Sequence, residues 1–137
     1  MRTWMWVGLF VACDGGGETD GDDTDTPAAA PTFSGDIEPL FARNCASSGC
    51  HGGPTPTGLD LSDGVAYGAI VAIPSVQLPT MNLVTAGDPA ESYLLLKLKD
   101  EQAGAGGGGD IMPPGFGLAQ TDIDRVEAWI AAGAKAD

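Results

Sequence analysis

Apolar residues recur at helical spacing through the second part of the chain, and no stretch shows sustained alternation of apolar and polar residues. In Asp36-Ile37-Glu38-Pro39-Leu40-Phe41-Ala42-Arg43, residues Ile37, Leu40 and Phe41 fall at i, i+3 and i+4, which predicts a helix from an Asp36 cap to Cys45. Pro39 takes its third position, where the missing N–H is one that no helix would satisfy. Asp88-Pro89-Ala90-Glu91 joins a capping residue, a first-position proline and a glutamate three residues after the cap, predicting a second helix to Lys97 or Lys99. The third starts at Thr121 and carries Ile123, Val126, Trp129 and Ile130 on one stripe, with Gly133 placed to stop it. A weaker helical turn covers Val65 to Val71. The spacers Gly52 to Gly58 and Gly104 to Gly109 are too glycine-rich for strands, so the predicted class is all-α.

The first 31 residues follow a different grammar. Residues 1–12 place one Arg before an apolar run from Trp4 to Ala12, the order of a signal peptide, and the run is too short for a bilayer-spanning helix. Phe10-Val11-Ala12-Cys13 resembles the lipobox of bacterial lipoproteins, with Phe10 where Leu is usual, which makes Cys13 the expected lipidated residue. Residues 13–31 contain six acidic residues and no large apolar one after Cys13, and are expected to be a solvated tether. A calcium site at Asp20, Asp22, Asp23 and Asp25 would lack the ligand pattern of a calcium loop. Residues 32–137 remain as the folded domain.

Composition sharpens that picture. With 21 glycines and 10 prolines among 137 residues, loops dominate, and three or four short helices cannot enclose an ordinary apolar core. Such a domain calls for a staple or a large cofactor at its centre. The net charge is −13, from 19 acidic against 6 basic residues, which argues against a protein that tracks nucleic-acid phosphates.

The chemistry concentrates in Asn44-Cys45-Ala46-Ser47-Ser48-Gly49-Cys50-His51-Gly52-Gly53, where the second cysteine directly precedes the chain's one histidine. A c-type haem needs two thiols to form thioethers with its vinyl groups and an imidazole beside the second thiol to bind iron. Four residues separate Cys45 from Cys50 where two are usual, and all four are small enough to bulge outward. The same residues also suit a Cys45–Cys50 disulfide in an exported protein. A structural zinc site would lack a fourth Cys or His in the mature chain. Met112, in Asp110-Ile111-Met112-Pro113-Pro114-Gly115, lies between a glycine stretch and two stiff prolines. Its thioether is the expected second axial ligand, a soft donor that raises the reduction potential of a haem. Met81 is the fallback.

Five ordered blocks then come together: the Ile37-Glu38-Pro39-Leu40 helix leading into Cys45, Cys50, His51 and Gly52; Gly58-Leu59-Asp60-Leu61; Val84 through Leu94; Met112-Pro113-Pro114; and Leu118, Ile123, Trp129-Ile130 and Gly133-Ala134. Over most of Ile37 to Ala134 this resembles the small bacterial cytochrome c domains abundant in planctomycetes and myxobacteria. The resemblance implies a cytochrome c-like all-α domain wrapped around one covalent haem c, attached at Cys45 and Cys50, with His51 as proximal and Met112 as distal iron ligand. It also implies that the first and last helices cross, bringing Ile37, Leu40 and Phe41 to Val126, Trp129 and Ile130. The wider cysteine spacing departs from the common pattern, although related cytochromes with four intervening residues exist, and Ala86 stands where proline is frequent. His51 is expected to donate its other ring N–H to a backbone carbonyl such as that of Pro54 or Pro56, and Tyr67, Leu94 and Leu95 to form pocket wall.

The expected function is that of an exported, membrane-anchored monohaem cytochrome passing single electrons between redox protein partners. It has no catalytic residue, no small-molecule substrate and no nucleic-acid partner. Its location is the periplasm or cell envelope, with the membrane that receives the Cys13 lipid left open. Two alternatives carry different chemistry: an open-site haem sensor or peroxidase, in which Met112 does not bind iron, and a haem-free lipoprotein binding module stapled by a Cys45–Cys50 disulfide.

Overall fold

The computed structural model describes residues 29–53, 55 and 58–137. The signal segment, Cys13 and the tether as far as residue 28 lie outside the described residues. Thr32 opens the fold: its backbone is extended, and its hydroxyl accepts the Gly35 N–H at 3.2 Å at the head of a one-turn π-helix, Phe33–Ile37. Asp36, expected as the cap, instead reaches back from inside that turn and accepts the Thr32 N–H at 2.8 Å. The two side chains satisfy donors reciprocally, in the manner of a capping box. The π-turn runs directly into α1, Glu38–Asn44, whose second residue is Pro39. A five-residue repeat just before the proline suits a position that has no N–H to donate and crowds the carbonyl four residues back.

Three more helices follow: α2, Ala66–Ile70; α3, Tyr93–Lys99; and α4, Gln120–Ala131. The described residues form no extended strand, only isolated bridges at Val71–Val84, Pro74–Asn82 and Asn82–Ser92, so the domain is all-α. Helix α3 begins five residues after the Asp88 cap that the sequence suggested. The Asp88 carboxylate does accept the Glu91 N–H, at 3.2 Å, but that closes a turn. The Tyr93 and Leu94 N–H groups bond to the carbonyls of Asn82 and Leu83 at 2.9 Å each, so Ser92 remains extended and the helix starts only after it. Helix α4 stops where expected, with Gly133 at φ +102°.

The core joins Ile37, Leu40 and Phe41 to Val126, Trp129 and Ile130, all essentially without solvent contact. Helix α4 packs chiefly on the π-turn and on α3. At its centre Phe33 lies edge-on to Tyr67 at 5.2 Å and tilted against Trp129 at 5.4 Å. The C-terminal tail closes this cluster, since the Trp129 indole donates to the Lys135 carbonyl at 2.9 Å and the Tyr67 hydroxyl to the Ala134 carbonyl at 3.0 Å. The Asp137 carboxylate then accepts the Ser34 N–H at 3.1 Å, so tail and first turn hold each other.

Candidate functional site

The stretch from Cys45 to His51 is a loop that closes on itself. The Cys45 carbonyl accepts the His51 N–H at 3.0 Å, and the Ser47 carbonyl accepts the Cys50 N–H at 3.0 Å. Gly49, third residue of that turn, has φ +87°, the positive value a type II turn requires at this place. Of the four small residues between the cysteines, Ser47, Ser48 and Gly49 bulge toward solvent, as does Cys50 after them, while Ala46 is half-buried against the core. Gly52 is required by closeness of another kind: a Cβ there would overlap the Ala46 carbonyl oxygen and lie 2.9 Å from the Ala46 carbonyl carbon.

His51 is held by the Gly58-Leu59-Asp60-Leu61 block. Its Nδ1 lies 3.2 Å from the Leu59 carbonyl, and its own carbonyl accepts the Leu61 N–H at 2.7 Å. The carbonyl that orients the ring is thus that of Leu59; Pro54 and Pro56 lie outside the described residues. Asp60 secures the base of the loop, taking the Gly53 N–H at 3.1 Å and the Ser62 N–H at 2.9 Å on one oxygen. The Ser62 side chain, followed by the Ser62 and Gly53 N–H groups, keeps the Asp60 carboxyl below its ordinary range.

A cavity of about 360 Å³ opens beside this loop, within the size range of sites that take small organic molecules. Cys45, His51 and Met112 all line it, although Met112 is 61 residues beyond His51 in the chain. Phe41, Leu61, Leu83, Leu94 and Leu98 make most of the wall apolar. Met112 is placed by its backbone, whose N–H bonds to the Lys97 carbonyl at 3.0 Å in the last turn of α3. Met81 does not line the cavity, and neither does Cys50, which sits on the exposed turn. Of the residues expected as wall, Leu94 is there, while Tyr67 and Leu95 belong to the hydrophobic core instead.

The two cysteines are free thiols. Burial, and to a smaller extent the neighbouring Cys50, push the Cys45 thiol up to about 11, so near neutral pH it is the uncharged form. An uncharged sulfur in an apolar wall suits a thioether and is poorly suited to act as a metal thiolate. Among the described residues no three His, Cys, Asp or Glu side chains gather as a metal cage.

Sequence reasoning passed over the polar end of the cavity. Lys97 is only 6 % exposed, lines the cavity and donates to the Gly108 carbonyl at 3.0 Å. Burial lowers the pKa of its ammonium, against the opposing pull of Asp110 and Asp100. Tyr93 and Gln77 also line it, with the Tyr93 hydroxyl donating to Gln77 Oε1 at 3.0 Å. The signal available was the i, i+4 spacing of Tyr93 and Lys97 beside Leu94 and Leu98, which puts the lysine on the buried face of α3. Within the largely exposed glycine stretch Gly107 is packed closely, since a Cβ on it would overlap the Tyr93 hydroxyl.

Comparison of the chain with protein-family models, curated proteins and solved structures finds no match.

Proposed function

We propose that residues 32–137 form a monohaem c-type cytochrome domain that carries single electrons outside the cytoplasm, anchored to a membrane through a lipid on Cys13. The observation that supports this most is the convergence of Cys45, His51 and Met112 on one largely apolar cavity. These residues fit the group: a neutral sulfur in the wall, an imidazole whose Nδ1 is turned to a backbone carbonyl, and a soft thioether from a distant loop.

In this reading Cys45 and Cys50 would hold the haem by thioethers, each S–H adding across a vinyl group with its proton going to the second vinyl carbon, so that no oxidant would be needed. His51 and Met112 would be the protein's two ligands to its iron. The Leu59 carbonyl fixes the imidazole's orientation and makes it a stronger donor. The bound haem supplies the one-electron couple, and the apolar wall keeps water from the iron and favours the reduced state. Cys50 is exposed and outside the cavity lining, so its sulfur would have to turn inward to make its thioether. With both His51 and Met112 as ligands the iron would keep no site for a substrate, and the proposed role is electron transfer without catalysis.

The test is export of the full chain in a host with a c-type maturation system, followed by acid-acetone extraction and the absorption spectrum of the reduced pyridine haemochrome. Haem that stays on the chain with two saturated vinyls is the expected result. A chain without haem, with Cys45 and Cys50 joined by a disulfide, would leave the haem-free binding module as the better reading. Met112→Ala is expected to lower the reduction potential and to open the iron to carbon monoxide. Carbon monoxide binding by the reduced native protein would instead point to a sensor or peroxidase.

A further inference from the structure

The walls of the cavity are electrically lopsided in a way that the overall composition does not suggest. The chain has 19 acidic and 6 basic residues, yet among the described residues no Asp or Glu lines the cavity and Lys97 does. Lys97 is among the most buried charged side chains described, at 6 % exposure. Placing an ammonium there costs several kcal/mol unless it is paired and its donors are used. An ammonium has three N–H donors. The bond seen is to one neutral acceptor, the Gly108 carbonyl at 3.0 Å, and among the described residues Asp110 and Asp100 act on Lys97 only from beyond ion-pair distance.

A second donor converges on the same place. A Cβ built on Gly109 would stand 3.0 Å from Gln77 Nε2 and 3.2 Å from Lys97 Nζ, so the amide and the ammonium border one small region. Gln77 Oε1 is taken by the Tyr93 hydroxyl at 3.0 Å, which turns the amide's NH₂ end toward that region. Gly109, at φ +74°, carries no side chain, which lets both donors lie close against its backbone. Two positive-ended donors at one end of an apolar cavity call for an occupant with an apolar body and a carboxylate.

We propose that Lys97, with the Gln77 amide beside it, is the seat of a haem propionate, which sets the orientation of the haem in the cavity. This assignment rests on the haem reading above and adds to it which end of the cavity the carboxylates occupy. Lys97 is here a binding residue, and its backbone carbonyl, bonded to the Met112 N–H, ties the propionate end to the loop of the proposed distal ligand.

The experiment uses the full matured chain carrying haem labelled biosynthetically with ¹³C at its propionate carboxyls. Infrared spectra are compared for the wild type, Lys97→Met and Lys97→Arg. The expected result is a shift of one labelled carboxylate band in Lys97→Met and a band close to the wild type in Lys97→Arg, together with a lower reduction potential in Lys97→Met alone. Identical carboxylate bands in wild type and Lys97→Met, with haem covalently bound in both, would overturn the assignment and leave the haem reading intact. A wild type that retains no haem defeats the haem reading itself, and shows it before any labelling. If Lys97→Met fails to fold, the wild type decides alone: solid-state NMR with ¹⁵N-lysine is expected to show a dipolar coupling between a lysine Nζ and a propionate carbon. No coupling overturns the proposal.

Discussion

At Cys45 the thiol stays uncharged because most of its surroundings are apolar and Cys50 is close by. A group whose neutral form is favoured by folding contributes stability below its unfolded value and loses it as pH rises through its folded value. For Cys45 that window runs from about 9 to about 11. In the thiol form of the chain, produced without haem in a reducing cytoplasm, the expected loss across that range is on the order of 2–3 kcal/mol. Urea denaturation at stepwise pH measures it, with Cys45→Ala as the control for other groups that titrate there. A loss of equal size in Cys45→Ala would mean that the thiol contributes nothing. The matured chain should lack the Cys45 contribution, since a thioether has no proton to lose. The residue pattern alone marked Cys45 as a haem-attachment or disulfide candidate; its depth in the wall, which keeps it uncharged, comes from its place beside Phe41 against the core.

Among the elements, the loop from Cys45 to Gly53 shows how local chemistry and long-range closure divide the work. Gly49 and Gly52 look alike in the sequence, yet they are needed for different reasons. Gly49 faces open space and needs only its positive φ, so Gly49→Ala is expected to cost roughly 1–2 kcal/mol. Gly52 has the Ala46 backbone against it, and a methyl there would force apart the bond between the His51 N–H and the Cys45 carbonyl. Gly52→Ala should therefore cost about 1–3 kcal/mol through overpacking and also lower the haem content of exported protein. Gly49→Ala should leave haem content near the wild-type level, and equal haem loss in both variants would show that Gly52's close approach is not what positions His51. Helix α3 carries the complementary lesson. Its capping signal at Asp88 was legible and produces a real turn, but the backbone donors at Tyr93 and Leu94 are claimed by Asn82 and Leu83, ten or more residues earlier in the chain.

For the whole molecule, charge is the property that reaches furthest. Thr32 to Asp137 holds 13 acidic and five basic residues, so the folded domain is an anion at neutral pH. Exposed charges act over about 30 Å at 0.01 M salt and about 8 Å at 0.15 M. Oxidation of the reduced protein by anionic ferricyanide is therefore expected to speed up as salt is added, and reduction by a hexaammineruthenium cation to slow down. Rates that do not respond to ionic strength would confine the acidity to a role in solubility. For the proposed electron carrier this field would favour a basic docking surface, and it serves solubility equally well. The same domain also holds its first turn beside its C-terminal tail, through Asp137 at Ser34 and the tail carbonyls at Trp129 and Tyr67.

What the sequence determined by itself was everything encoded by covalent nearness: the helical stripes of α1 and α4, the stop at Gly133, the outward bulge between the cysteines, and the tandem of Cys50 and His51. These follow from spacing and local sterics, which need no partner from elsewhere in the chain. Only the tertiary structure decided which carbonyl orients His51, that Met112 and not Met81 reaches the cavity, and that Lys97 is buried at its polar end. Each of those depends on segments far apart in sequence competing for the same donors and the same volume. A lysine near a helix end reads as solvated until the strap of Gly107 to Gly109 is known to close over it.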